Sequence, residues 1–470
     1  MKTLRAIITS VLLITVANTV LAQDNVEPGI VDPFRSQLPV SLWNDGRISQ
    51  INAALRGAKP SSIPPINRAR AIIALAQSRP ALSPESSEIL SGARLNLLFN
   101  HGVLDAAEAL SNQFVWYPIT IRTEVEKIAL LTTRPDQYCA QILAKKFSEI
   151  EIGMSIYCFS RGNQWPKAVE TYEMTKDSIY DLRRETLARF LELDEPTSSL
   201  LDEPWTEIPS PIDFVLDESF GRPRGEKHLP PAYAYFAREI GTNPHIELEL
   251  TEELAKNGAL PNNVLFATYK KYYPTQFSNA AKRAEISNNI AKLDMKSLPD
   301  DFRNQLNEAI DFFGENNLLE AFATQMAPYF SKIDLSQIQN ISTRNTIIRL
   351  GLLGGWSAES WGAYIAKDDF VLSMAFKILH PDIEIDYPLN NNLPTKAARV
   401  IQKAFFETEP QFESIISPGE ELLKAFNILS NIALYNDTEV TRSFQVLKTF
   451  GQTQLAKEVA MNILFGGPTP

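Results

Sequence analysis

The sequence INRARAIIALA, residues 66–76, spaces its apolar residues as one face of an α-helix. Ile66, Ala69, Ile73 and Ala76 recur every three or four positions, which fits a helical turn and not the alternation of a strand. The same spacing occurs near the C-terminus, at Leu422-Phe426-Leu429-Ala433, Val440-Phe444-Leu447-Phe450 and Leu455-Val459-Ile463. Glycine, which all-β chains and phosphate-binding folds use freely in turns, makes up only 20 of the 470 residues. The pattern predicts an all-α fold.

Turn-forming residues separate the helical stretches. Clusters of Pro, Gly, Asn or Asp recur after each stretch of helix length, at Lys59-Pro60, Arg79-Pro80, Asn100-His101-Gly102, Arg134-Pro135-Asp136 and Arg161-Gly162-Asn163. Ser83 and Ser417, each followed by proline, have the pattern of helix N-caps, and Glu420 would complete a capping box with Ser417. Helices joined by short turns are typical of an α-solenoid of stacked helical hairpins.

In four of the turns, a turn-forming residue is followed four or five positions later by an alanine. They are Gly102-Val103-Leu104-Asp105-Ala106-Ala107, Gln164-Trp165-Pro166-Lys167-Ala168, Asn316-Asn317-Leu318-Leu319-Glu320-Ala321 and Gly451-Gln452-Thr453-Gln454-Leu455-Ala456. Each resembles the junction between the two helices of a tetratricopeptide repeat, where alanine lets the second helix pack closely. The four are unevenly spaced, whereas tetratricopeptide repeats recur about every 34 residues. The resemblance implies a helical-repeat fold that binds protein.

A second resemblance concerns the segments Leu229-Pro230-Pro231-Ala232-Tyr233-Ala234 and Leu254-Ala255-Lys256-Asn257-Gly258-Ala259-Leu260, together with residues 450–464. They are similar to segments of uncharacterised exported helical proteins of alphaproteobacteria. This resemblance implies a periplasmic location and no particular activity.

Residues 1–22 have the layout of a cleavable secretory signal peptide. Lys2 and Arg5 precede an uncharged, mostly apolar run over 6–21, and Gln23 would begin the mature chain. The alternative is a membrane anchor, but the run is shorter than the roughly 20 residues that a spanning helix needs. No later stretch is long and apolar enough to span a bilayer, so we expect a periplasmic or secreted protein with no membrane insertion after signal cleavage.

Composition shifts suggest how the rest of the chain divides. Residues 194–211 carry four prolines and several acidic residues, a composition that cannot remain helical and is typical of a linker or a surface loop. It would separate an N-terminal helical-repeat lobe at 41–193 from a C-terminal lobe at 212–465. Residues 23–40 and 466–470 are expected to be disordered.

The net charge of the chain is −11, and loss of the two positive charges in residues 1–22 would make it −13. An acidic chain without basic clusters is a poor match for nucleic acid, which is bound through Lys and Arg. The two cysteines, Cys139 and Cys158, are expected to form a disulfide across two antiparallel helices in an oxidising compartment. The alternative is a pair of buried free thiols.

Motifs for catalysis, metals and cofactors are missing from the sequence. The four histidines are too far apart for a histidine-based zinc motif, and none is close to a cysteine: His101, His228, His245 and His380. No nucleophile elbow, P-loop or dinucleotide-binding glycine motif occurs. The Gly351–Trp356 stretch is rich in glycine but follows an apolar helix and contains no lysine, so we expect a close helix turn there. The sequence therefore predicts no metal, no cofactor and no catalytic residue.

Paired carboxylates are the remaining route to an enzyme, because glycosidases and polysaccharide lyases of α/α-toroid type need two acids in an aromatic-lined cleft. The candidates are Asp217 with Glu218, and Glu359, which lies between Trp356 and Trp361. A glutamate beside tryptophans is more often a surface residue next to core aromatics. We therefore treat the carbohydrate-active enzyme as the alternative function.

The expected function is a protein-binding scaffold or assembly factor in the cell envelope, with another envelope or periplasmic protein as partner. A purely structural envelope protein is a third option. The sequence leaves open the binding residues, the oligomeric state, and whether the helices form an open solenoid or a closed ring. It also leaves open a eukaryotic secretory origin, in which case Asn340 and Asn436 would be glycosylation sites.

Overall fold

A computed structural model describes residues 29–466, except for short gaps at 45, 80–82, 115–118, 145–150, 195–198, 223–227, 242–243, 272–277, 296–297, 300, 367, 384–392, 394 and 408–416. Within these residues the protein is all-α, as the sequence predicts, and it contains no β-strand beyond isolated bridges. The signal peptide predicted at 1–22 lies outside the described residues.

Most of the described chain is in short α-helices. In chain order they are α1 Pro33–Ser36, α2 Ile48–Gly57, α3 Pro64–Leu75, α4 Pro84–Asn100, α5 Leu104–Ser111, α6 Ile119–Leu131, α7 Asp136–Leu143, α8 Ile152–Arg161, α9 Trp165–Thr175, α10 Asp181–Phe190, α11 Pro211–Ser219, α12 Pro231–Glu239, α13 Pro244–Lys256, α14 Asn262–Lys271, α15 Asn279–Ala291, α16 Phe302–Gly314, α17 Leu319–Phe330, α18 Ile341–Leu353, α19 Phe370–Leu379, α20 Lys396–Phe406, α21 Pro418–Ser430, α22 Asp437–Thr449 and α23 Thr453–Phe465. Short 3₁₀ helices occur at Lys176–Ser178, Ser199–Asp202, Leu335–Gln337, Glu359–Tyr364 and Ile432–Leu434.

Side-chain caps begin several helices where the sequence predicts them. The hydroxyl of Ser83 accepts a hydrogen bond from the backbone N–H of Ser86, and that of Ser417 accepts from Glu420. The carboxylate of Glu420 does not complete a capping box; it pairs with the guanidinium of Arg47 on a distant segment. A full capping box occurs instead at Asn436 and Glu439. Local sequence thus sets where these helices start, while tertiary contacts decide which partners their side chains take.

The pair α7–α8 is joined by a disulfide between Cys139 and Cys158, whose Cα atoms are 5.0 Å apart. Both residues are buried, and 19 positions separate them in the sequence. The predicted pairing is confirmed. Because the bond closes a loop of the chain between α7 and α8, it constrains the unfolded chain and stabilises this helix pair.

Helices from the two ends of the described chain pack together. Helix α21 lies against α2 and α3, and α23 also lies against α3 while contacting α18, α19, α20 and α22. Ten of the 12 residues of α3 are consequently buried, including Asn67 and Arg70. Helix α3 is therefore covered by elements that lie more than 340 positions later in the chain.

Two segments differ from what composition alone suggests. Residues 29–40 were expected to be disordered, but the backbone N–H of Ile30 bonds to the carbonyl of Leu75 at 3.0 Å, and Leu38 is buried. The disorder predicted for residues 23–40 therefore does not hold over 29–40, because this stretch extends along the end of α3. Residues 23–28 lie outside the described residues, as do 467–470 of the predicted tail.

Parts of the proline-rich stretch at 194–211 pack on the helices. Trp205 is buried, and its indole N–H donates to the carboxylate of Asp217 at 2.8 Å. The hydroxyl of Tyr233 donates to the carbonyl of Pro209 at 2.8 Å. The division into two lobes at this stretch stays a prediction, but the stretch itself is anchored to α11 and α12.

Candidate functional site

A pocket of about 580 Å³ lies where segments distant in the sequence meet. Its walls come from α3, the α13–α14 turn, α17, the end of α18 and α23. This volume falls within the range of about 300–1,000 Å³ that is usual for ligand pockets. We call it the central pocket.

Three charged side chains meet in the central pocket. The guanidinium of Arg68 donates to both carboxylate oxygens of Glu320, at 2.7 and 3.0 Å, and its NH2 lies 3.7 Å from a carboxylate oxygen of Glu458. Burial disfavours the charge on Arg68, but the two carboxylates, Glu320 foremost, outweigh it and raise the pKa of Arg68 above its ordinary value. Glu320 is thereby committed to a bidentate pair. The side chain of Glu458, 41% exposed, is less tightly held, and the trio carries one net negative charge.

Glycines allow the polypeptide backbone to form part of the pocket wall. Gly258 and Gly355 have φ values of +70° and +72°, which other residues rarely adopt. At Gly354 a Cβ atom would come within 2.8 Å of the backbone of Ala323. The indole N–H of Trp356 donates to the carbonyl of Ala323 at 2.7 Å. The glycine-rich stretch after α18 thus serves close packing on α17, as expected of a close helix turn.

A serine and a histidine that lie a few positions from pocket-lining residues in the sequence contact each other. The Oγ of Ser357 lies 2.9 Å from Nε2 of His380, which follows the pocket residue Leu379. The imidazole packs on the ring of Phe376, and burial lowers the pKa of His380 despite the opposing charge of Glu359. Among the described residues, no hydrogen bond orients the other ring nitrogen of His380. A serine nucleophile needs a base held in this way, so the pair lacks the third member of a catalytic triad.

The carboxylates selected from the sequence do not meet in a cleft. Asp217 is 1% exposed and accepts hydrogen bonds from Trp205 and from the guanidinium of Arg222 at 3.1 Å. Burial raises the pKa of Asp217, but its bonds to Trp205 and Arg222 favour the charged form, so it acts as a structural acceptor. Glu218 is half-buried near the end of α11.

Glu359 is exposed at the start of a 3₁₀ helix, and the tryptophans on either side of it belong to the core. Trp361 is buried, and its ring packs edge-on against that of Trp356 at 5.4 Å. These rings are not an exposed sugar-binding platform.

The histidines also stay apart. His228 is exposed, and the side chain of His245 lies outside the described residues. The side chain of His380 contacts Ser357 and no other described histidine. No group of three potential metal ligands occurs in the part of the chain that the structure describes.

His101, at the end of α4, is 1% exposed, and neither ring nitrogen has a hydrogen bond of normal geometry among the described residues. Burial, and then the charge of Arg70, lower the pKa of His101 to about 4, although the backbone of Ala58 opposes the shift. The unfolded chain, with a histidine pKa near 6.5, therefore binds more protons between these values. Stability contributed by the neutral ring is complete above pH 6.5 and is lost as the pH falls towards 4.

We expect His101→Leu to remove this pH dependence. Between pH 6.5 and 4 the wild-type protein should lose about 3 kcal/mol more unfolding free energy than the variant, at roughly 1.36 kcal/mol per pKa unit. Urea denaturation across this pH range measures the difference and cancels the titration of carboxylates common to both proteins. Parallel pH profiles for the two proteins would contradict the assignment.

The charged trio of the central pocket could not be found from sequence patterns. Glu320 lies 252 positions from Arg68 in the sequence. Within its own helix it is an acidic residue of the first turn, a common position that does not indicate a site. Asn340 and Asn436, the possible glycan sites, both act as N-caps in the structure.

Comparison of the chain with protein-family models, with curated proteins and with solved structures finds no match. Among the described residues, no helix is both long and apolar enough to span a membrane. The disulfide is compatible with an extracytoplasmic protein.

Proposed function

We propose that this protein is an exported, non-catalytic binding protein of the cell envelope, which holds a segment of a partner protein in its central pocket. The observation that carries the proposal is the pocket itself, formed where helices from distant parts of the chain meet around Arg68, Glu320 and Glu458. Export rests on the composition of residues 1–22 and on the disulfide.

The helices are proposed to stack as hairpins of the helical-repeat kind, with the ends of the array in contact. In an open solenoid each repeat touches only its neighbours, and the ligand binds along a concave face. Here α21 and α23 cover α3, and the ligand-binding space is a partly open pocket between helices of the array rather than a long groove. Such a pocket suits a short segment or a single side chain better than an extended peptide.

The charge of the pocket favours a basic ligand. Arg68 is matched by Glu320, while Glu458 keeps a partly exposed carboxylate on the pocket wall. The whole chain is also acidic, which attracts cationic partners at a distance. We therefore expect the bound segment to present a lysine or arginine side chain towards Glu458.

Photo-cross-linking in cells tests the proposal. A p-benzoylphenylalanine placed at Thr324, an exposed pocket residue, should capture a reproducible envelope partner, whereas the same group at Leu434, which is 80% exposed and does not line the pocket, should not. Adding Glu458→Lys should reduce capture about tenfold, because a like charge would then face the ligand. Glu170→Lys, an exposed change on α9, is the matched control and should leave capture unchanged. Equal capture from positions 324 and 434, or no effect of Glu458→Lys, would contradict the proposal.

One observation favours the carbohydrate-active enzyme as a second candidate: two carboxylates do approach each other in the pocket. Against it, both carboxylate oxygens of Glu320 already accept hydrogen bonds from Arg68, so this carboxylate is engaged within the protein. Hydrolysis of cell-wall or exopolysaccharide substrates by the pure protein, abolished by Glu458→Gln without loss of helicity, would replace the binding proposal.

A further inference from the structure

A second pocket, of about 510 Å³, lies between α2 and α21 and shares no lining residue with the central pocket. Its floor is formed in part by Arg70 of α3, and its rim carries Arg47 and Lys424. Glu420 is its one acidic lining residue. The lining therefore bears two net positive charges in a protein whose total charge is −11. We call it the cationic pocket.

The guanidinium of Arg70 is buried without a counter-ion. The residue is 3% exposed, and no carboxylate in the described part of the chain lies within ion-pair distance of it. Its NH1 donates to the carbonyl of Lys59 at 2.6 Å, and its NH2 donates to Ser430 at 3.3 Å. Burial lowers the pKa of Arg70 to about 10, so the group is still charged at neutral pH. An unpaired buried charge is unfavourable, and a bound anion would relieve this cost.

Among the described residues that line this pocket, the one acidic group is already paired with a residue other than Arg70. His101, whose protonation Arg70 disfavours, is neutral at pH 7 and contributes no charge. Glu420 is already engaged by the side chain and backbone N–H of Arg47. Lys424 is exposed on α21, and no ion pair involves it among the described residues. Two cationic groups, one buried and one exposed, are thus available at the same pocket.

We propose that the cationic pocket binds a small organic anion, whose carboxylate or phosphate group is held by Arg70 and Lys424. A planar guanidinium at the floor suits either group, because both present paired oxygens. Ala53, Ala54 and Leu423 provide an apolar wall for the body of the ligand, and Gln50 and Asn427 offer amide groups at the rim. This site shares no lining residue with the central pocket.

Calorimetric titration at low ionic strength tests the proposal with three probes: inorganic phosphate, succinate and glucose 6-phosphate. At least one should bind saturably to the wild-type protein, and comparison of phosphate with succinate separates the two anion types. Lys424→Gln should weaken binding about fivefold and Arg70→Met about tenfold or more, since charged hydrogen bonds are lost. Lys332→Gln removes an exposed lysine outside the pocket and should leave affinity unchanged.

The outcomes are separable even if Arg70→Met is poorly folded, because Lys424 is exposed and its replacement leaves the core intact. Saturable binding that Lys424→Gln weakens and Lys332→Gln does not supports the site. Absence of binding for all three probes, or an equal loss in Lys332→Gln, overturns it. Neither result bears on cross-linking from the central pocket, so the two proposals fail independently.

Discussion

Replacing Arg283 by methionine should lower the free energy of unfolding by roughly 3–5 kcal/mol, the cost of leaving a buried charge without its partner. Arg283 on α15 and Glu252 on α13 are 3% and 4% exposed. The Nε of Arg283 donates to Oε1 of Glu252 at 2.9 Å, and its NH2 donates to Oε2. The hydroxyl of Tyr269 also donates to Oε1 of Glu252, at 2.7 Å. Burial, and then the charge of Glu252, raise the pKa of Tyr269 well above its ordinary value, so the phenol is a donor throughout the physiological range.

Chemical denaturation followed by circular dichroism measures this loss, and a double variant identifies its cause. Arg283→Met with Glu252→Leu removes both charges and should regain most of the stability, because a buried ion pair can often be replaced by apolar residues at little cost. Lys282→Met, a change at a partly exposed neighbour on the same helix that pairs with Glu285 and Glu308, should cost less than about 1 kcal/mol. If the double variant were less stable than Arg283→Met alone, loss of packing rather than an unpaired charge would explain the effect.

The sequence predicts local structure well here because helix periodicity and capping depend on residues close together in the chain. The stripe at Ile66, Ala69 and Ile73 is buried in α3, and Ser83 and Ser417 cap the helices that they were expected to cap. The disulfide could be predicted for the same reason, since only 19 positions separate the cysteines.

The candidate sites could not be predicted, because they depend on which helices meet. The local sequence around Arg68 and Arg70 does not indicate which helices cover these residues. In the structure, α21 covers Arg70, whose bonding partner Ser430 is 360 positions away. The pairing of Arg68 with Glu320 is similarly remote. The disorder predicted for residues 29–40 is wrong for a related reason. The composition of this stretch does not show that its backbone bonds to the end of α3.

A chain truncated after residue 407, which lacks α21, α22 and α23, should lose the protection of α3 against amide hydrogen exchange. Helix α3 is covered by α21 and α23, and its residues Ile66 and Ile73 are at most 1% exposed. Removing the covering helices exposes this apolar face to water and leaves Arg70 without Ser430. We expect exchange of the amides in residues 64–75 to accelerate at least about a hundredfold.

Mass spectrometry of exchanged peptides decides between two views of the array. In an open solenoid, loss of the last helices would destabilise only their neighbours α18, α19 and α20, and α3 would keep its wild-type exchange rate. In the array proposed here, α3 and these neighbours would lose protection together, because α23 contacts both.

The disulfide-linked pair α7–α8, which packs on α9 and α11, is the internal reference for local order. A chain ending at Gly466 controls for shortening, since it keeps α23 complete. Wild-type protection of α3 in the shorter chain would show that contact between the ends contributes little, and the central pocket would then need no closure to form.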